Sequence, residues 1–144
     1  MAHEIYREKV LGNFRPSTTE KQKAKIVKPR LKREGRDGNS EEHLAAIRQC
    51  VCTVCNKVGG NDPHHLKAGT GERGARMRST DKWTVPLCRW HHKELEGVSS
   101  RSEPAWFRDH GIDAPLDLAA RLWAVSPDVS AMMKILIANK RGKP

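Results

Sequence analysis

Long apolar runs are missing from this chain. Nowhere in its 144 residues does a stretch approach the roughly 18 consecutive apolar positions of a membrane-crossing helix. Residues 1–15 (MAHEIYREKVLGNFR) are charged throughout. They lack the apolar segment of about 7–15 residues that an export signal carries, so the expectation is a chain that is neither exported nor membrane-bound. Acidic residues are also scarce: 17 Asp and Glu stand against 27 Lys and Arg, a formal charge of +10, with a pI near 9.8. Such a balance favours a polyanionic partner, nucleic acid or an anionic surface. Apolar residues make up only 37%. A core built from so few is modest, and a non-hydrophobic source of stability is expected. The length suits one compact domain rather than two.

Cysteines number four: Cys50, Cys52, Cys55 and Cys88. Three fall within six positions and no export signal precedes them, which fits reduced thiolates around a metal better than disulfides. Cys52-Thr53-Val54-Cys55 and Cys88-Arg89-Trp90-His91 are two pairs with two-residue spacers. Each spacer lets both ligands of a pair turn to one side, and two pairs close the tetrahedron that zinc prefers. The expected structural zinc ligands are therefore Cys52, Cys55, Cys88 and His91. Cys50 could stand in for Cys52 or be a small buried hydrophobe, and His64 or His65 could replace His91. Structural zinc is worth on the order of 10 kcal/mol in small modules, enough to offset a thin core.

Three segments follow from composition and punctuation. Residues 1–38 form a basic arm without apolar periodicity, expected to be disordered and suited to phosphate. Residues 39–101 hold the cysteines. Ser40 caps a predicted helix that carries Glu41 and Glu42 in its first turn and runs to about Gln49. A knuckle, a turn and a strand follow up to Leu66, then a Gly- and Arg-rich loop over 67–80. A second strand is expected over Trp83–Leu87 and a helix over Cys88–Glu96, stopped at Gly97. Arg73, Arg76 and Arg78 on the loop, with Arg89, are the expected contacts to a nucleic-acid backbone. Gly69-Thr70-Gly71-Glu72-Arg73-Gly74 matches a dinucleotide-binding pattern but lacks the strand before and helix after it, so it reads as a flexible loop. Residues 102–144 read as a helical extension. Ser102-Glu103-Pro104 opens one helix, Asp113 and Pro115 a second, and Ser126-Pro127-Asp128 a third with Pro127 as its first residue. In that third helix Val129, Met132, Met133, Leu136 and Ile137 share a face, for the core or for a dimer or partner contact.

Two histidine pairs remain. His64-His65 sits on the first strand, where neighbours point to opposite faces. His91-His92 sits on a helix, where neighbours diverge by about 100°, so one can serve zinc while the other faces away. His92 and Glu96 share a helix face that could hold a second cation.

CxxC, a His pair on a strand, and CxxHH at a helix start together resemble the HNH (His-Me finger, ββα-metal) endonucleases. The nearest likeness is to small HNH-like proteins of phages and prophages, several tied to recombination. The resemblance spans about residues 48–97 and extends through Trp106-Phe107 and His110-Gly111-Ile112-Asp113. It implies an α+β fold: a small zinc-stabilised ββα-metal core with flanking helices, in the cytoplasm of a bacterial host. It also implies metal-dependent hydrolysis of DNA, with His65 as general base. His64 and His92 would be ligands of a catalytic divalent cation, Mg²⁺, Mn²⁺ or another, and Glu96 a further one. The family's middle Asn is Trp83 here. Asp81 is the residue nominated to orient His65, with Asn61 the other polar candidate nearby. The alternative is a zinc-stabilised DNA-binding protein of recombination or regulation that does not hydrolyse. A homodimer through the last helix stays open.

Overall fold

Ser40 starts the first helix as expected. Its Oγ accepts from His43 N at 3.2 Å, and α1 runs over Glu41–Gln49 with His43, Leu44, Ala46 and Ile47 on the buried face. These and the following elements belong to a computed structural model that describes residues 37–72 and 77–141. The basic arm up to residue 36, and Arg73 and Arg76, lie outside the described residues.

The fold is a small α+β one, with a two-stranded sheet and five α-helices among the described residues. Strand β1 (Asp62–His65) pairs antiparallel with β2 (Thr84–Leu87), placing His64 opposite Val85 and His65 opposite Thr84. All four residues of β2 are buried. The second strand therefore begins one residue later than its apolar pattern suggests. Asp81–Trp83 form a short 3₁₀ turn instead, because the Thr84 hydroxyl donates back to Asp81 O at 2.8 Å. Helix α2 (Arg89–Glu96) follows, capped by Cys88 and ending at Gly97.

The last third adds α3 (Glu103–Asp109), α4 (Pro115–Val125) and α5 (Val129–Arg141). Gly111 closes α3 at φ +88°, a left-handed turn that glycine adopts without steric cost. Pro127 is not the first residue of α5. Asp128 caps that helix, its Oδ1 accepting from Ala131 N at 3.0 Å, and the Ser126 hydroxyl is committed elsewhere, to His43 Nδ1 at 2.8 Å.

These helices are more than an appendage. Phe107, Ile112, Leu118, Leu122, Met132 and Leu136 join Ile47, Leu66, Val85, Leu87 and Leu95 in one apolar core. Helices α1, α2 and α4 pack on the hairpin, and α5 packs on α1 and α4. On the apolar face of α5, Met132 and Leu136 are buried, while Ile137 is 41% exposed. Met133 Sδ accepts from Val51 N at 3.3 Å and Lys140 Nζ donates to Val54 O, so α5 also braces the cysteine knuckle. Among the described residues no helix is long and apolar enough to cross a membrane.

Candidate functional site

The Cys52–Cys55 knuckle is held by backbone geometry. Asn56 takes φ +59°, Cys52 N donates to Lys57 O at 2.9 Å and Asn56 N to Cys52 O at 3.0 Å. Thr53 docks the turn on β2, donating through N at 2.9 Å and Oγ1 at 2.8 Å to Pro86 O. Asn61 spends its amide here, on Cys50 O at 2.6 Å and Lys57 O at 2.9 Å. It therefore serves the knuckle and not a histidine.

The knuckle meets the start of α2. The ligand atoms of Cys52, Cys55, Cys88 and His91 lie within 4.8 Å of one another, a set that could hold a metal ion such as zinc. Cys55 Sγ to Cys88 Sγ is 3.7 Å, Cys52 Sγ to His91 Nδ1 3.7 Å and Cys88 Sγ to His91 Nδ1 3.1 Å. A tetrahedron with Zn–S near 2.3 Å has edges of about 3.8 Å, so the donors fit that ion in number, type and spacing. Burial pushes the Cys88 thiol up, but donors from the α2 N-terminus and the neighbouring thiols outweigh it and hold Cys88 below its ordinary value. Helix N-termini favour thiolate in this way. Cys50 stands outside the set. Its thiol donates to Ala46 O at 3.3 Å and burial pushes it up to about 11.

The Trp106–His110 stretch backs this cluster. His110 stacks on Trp106 at 3.9 Å and its ring lies 5.8 Å from that of His91.

His64 and His65 leave the strand toward different acids. His65 Nε2 lies 2.8 Å from Asp81 Oδ1. Asp81 is itself fixed, its Oδ2 accepting from Ser40 N at 3.0 Å and its N donating to Asn39 Oδ1 at 3.2 Å. His64 Nε2 lies 2.9 Å from Glu103 Oε1. Glu103 Oε2 accepts from Lys67 N at 2.6 Å and Ala68 N at 2.8 Å. Burial alone would raise the Glu103 carboxyl, but these three donors together hold it below its ordinary value. Burial lowers the His64 pKa against the opposing pull of Glu103. With Nε2–H donated to a carboxylate, each imidazole carries its lone pair on Nδ1. Carboxylates orient metal-binding and proton-accepting histidines in this manner.

A cleft of about 490 Å³ is lined by His64, His65, Arg78, Ser79, His92 and Glu96. The rings of His64 and His92 are 5.4 Å apart at 73°. His92 Nδ1 lies 3.5 Å from Glu96 Oε1, which is on the exposed side. Among the described residues, His64, His92 and Glu96 are not a trio with donor atoms mutually within 4.8 Å. His92 is thus the common neighbour, with the His64 ring on one side and the Glu96 carboxylate on the other. Arg89 is exposed and pairs weakly with Asp62 at 3.4 Å. Trp83 donates through Nε1 to Glu72 Oε1 at 2.9 Å, and Glu72 Oε2 accepts from Thr80 N and Oγ1. That carboxylate pins the glycine-rich loop, where Gly69 and Gly71 take positive φ.

Glu103 is the residue that sequence reasoning misses here. Its removal in Glu103→Ala is expected to cost about 3–5 kcal/mol in urea unfolding, because buried His64 and two backbone N–H groups lose their partner at once. An unchanged midpoint would show the carboxylate to be dispensable.

His43 is the other. Thr84 Oγ1 donates to Asp81 O and so accepts from His43 Nε2 at 3.0 Å. His43 Nδ1 then accepts from Ser126 Oγ. Burial lowers this imidazole from 6.5 to about 4, with Asp81 opposing and His65 adding to the shift. The sign is plain: above pH 6.5 both folded and unfolded chains hold His43 neutral, and as pH falls the unfolded chain binds its proton first. Stability is therefore lost between pH 6.5 and about 4. The gap in melting temperature between the parent and His43→Leu should narrow over that window. A constant gap would mean that His43 titrates normally.

Residues 19–130, most of the chain, match the family described as "Protein of unknown function (DUF968)". The chain is a DUF968 protein. The match takes in the cysteine cluster, both histidine pairs and Glu103, so the geometry above lies within the family's span. This DUF968 chain is also 36% identical over 55 residues to the uncharacterized protein YdfU of Escherichia coli (strain K12), covering 38% of this chain and 15% of that relative's length. No solved structure matches it.

Proposed function

We propose that this chain is a divalent-cation-dependent DNA endonuclease of the HNH (His-Me finger, ββα-metal) kind, phage or prophage encoded, with a structural zinc in the Cys52, Cys55, Cys88 and His91 cluster. The observation that carries the reading is the 2.8 Å His65–Asp81 pair on a cleft that also holds His64 and His92. The element order β1, β2, α2, with the cluster closing hairpin to helix, supports it.

In this reading His65 Nδ1 accepts a proton from water as the water oxygen bonds to phosphorus and the bond to the leaving oxygen breaks. Asp81 keeps the ring in the Nε2–H tautomer and stabilises the imidazolium that forms. Glu103 presents His64 Nδ1 to the cleft. A divalent cation bound by His64 and His92 would supply charge stabilisation at the phosphoryl oxygens. The imidazole donors suit Mn²⁺ or a later metal better than an all-oxygen Mg²⁺ site. Arg78 and Arg89 hold backbone phosphates.

The test is incubation of folded, zinc-loaded protein with supercoiled plasmid and with branched DNA, with and without Mg²⁺ or Mn²⁺. Nicking that needs the cation supports hydrolysis. Intact DNA in every lane, with salt-sensitive binding, favours the non-hydrolysing DNA-binding alternative.

A further inference from the structure

Helix α2 leaves its largest apolar side chain in water. Trp90 is 77% exposed, although it sits between two residues of the metal cluster, Cys88 and His91. An indole of this kind contributes nothing to the core and is characteristic of contact surfaces. Its neighbours are two cations and one acid, Glu94, which faces His110 at 3.9 Å. Arg89 precedes it with a side chain 85% exposed, and Lys93, also exposed, lies one turn on. Arg89, His92, Lys93 and Glu96 line a groove of about 560 Å³ with Asp62 and Pro63. That groove shares Pro63, His92 and Glu96 with the histidine cleft. Its acids are partly neutralised, Asp62 by Arg89 at 3.4 Å and Glu96 by His92 at 3.5 Å.

We infer that Trp90 is a stacking platform for an unpaired DNA base, with Arg89 and Lys93 holding the phosphates beside it. The inference rests on the nuclease reading and names its substrate class as single-stranded or branched DNA. The chain's +10 charge calls for a polyanion, and a flat aromatic face flanked by cations is how proteins grip single strands. Within a continuous duplex every base face is covered by its neighbours. Only an unpaired base, or one at a junction, offers a face to an indole fixed on a helix.

The experiment measures binding of dye-labelled oligonucleotides by fluorescence anisotropy, with no Mg²⁺ or Mn²⁺ added so that nothing is cut. The full chain is compared with Trp90→Ala and Trp90→Phe on a single strand and on a blunt duplex of equal length. Zinc content and melting temperature confirm that each variant is folded. Stacking of a base onto an aromatic ring predicts roughly 5- to 100-fold weaker binding of the single strand by Trp90→Ala. Less than 2-fold change is expected on duplex, and Trp90→Phe should recover most of the loss. Equal affinity of parent and Trp90→Ala for the single strand, or an equal loss on both DNAs, overturns the inference. Because the readout is binding without cleavage, a plasmid left intact would count against the nuclease and leave this result standing. Cation-dependent nicking by a Trp90→Ala chain of unchanged affinity would overturn the stacking site alone.

Discussion

On the proposed nuclease reading, His65→Ala is expected to nick supercoiled plasmid about 10²–10⁴-fold more slowly than the parent, the range that a positioned general base contributes. His65 is 9% exposed, its Nε2 is held at 2.8 Å by Asp81, and Asp81 is in turn held by Ser40 and Asn39 from the start of α1. In the proposed mechanism Asp81 holds the ring at the border of the cleft, so that it would not have to be reoriented to act. Removing the ring also leaves a buried carboxylate short of one partner, so His65→Ala carries a stability loss of its own. His65→Gln separates the two effects, because its amide can donate to Asp81 while it cannot take a proton at neutral pH. Both variants should bind DNA like the parent and show the same large loss of nicking rate. A His65→Gln chain that is folded, zinc-loaded and fully active would remove His65 from the chemistry.

Loss of the cluster's metal is expected to unfold the chain. Structural zinc in small modules contributes on the order of 10 kcal/mol, comparable with the whole 5–15 kcal/mol by which domains are stable. Here the cluster is also a joint. Cys52 and Cys88 belong to the apolar core, Thr53 fastens the knuckle to β2, and Met133 and Lys140 fasten it to α5. If the cluster holds the proposed zinc, a strong chelator or Cys88→Ser should abolish the cooperative melt followed by circular dichroism and lower the metal content from the one zinc per chain that the proposal expects. Cys50→Ser should keep that stoichiometry, since the Cys50 thiol faces Ala46 O and not the cluster. A chelated chain with an unaltered melt would mean that the four donors are close for other reasons.

How much of this could be read from residues alone depended on whether the signal was local. The cysteine pairs have a spacing that only a few geometries use, and the helix caps at Ser40 and Gly111 are written in the residues that make them. Asp81 could be nominated because it is the acidic residue nearest in the chain to Trp83, the position where the resembled family carries its middle Asn. Glu103 could not, because it comes from 39 positions beyond His64, and an acid in the first turn of a helix has a sufficient local explanation in the helix dipole. Only the packing of α3 against the hairpin buries it to 2%. His43 did leave a trace. It shares a helical face with Leu44 and Ile47, and a polar residue on an apolar stripe asks for buried partners. Those partners, Thr84 and Ser126, are set by tertiary contacts. Pro127 misled because a proline after serine often starts a helix, whereas here Asp128 supplied the better cap.

Lys67 lies just past β1, and its Nζ donates to Leu95 O at 2.9 Å and Val98 O at 2.8 Å, at the far end of α2. Strand and helix are thereby clasped at the end opposite the Cys52, Cys55, Cys88 and His91 cluster, so that the helix is tethered at both extremities. The gap between the imidazoles of His64 and His92 is then a dimension of the scaffold. On the proposed reading, an occupant would meet a spacing between these two walls that the strand and the helix set in advance.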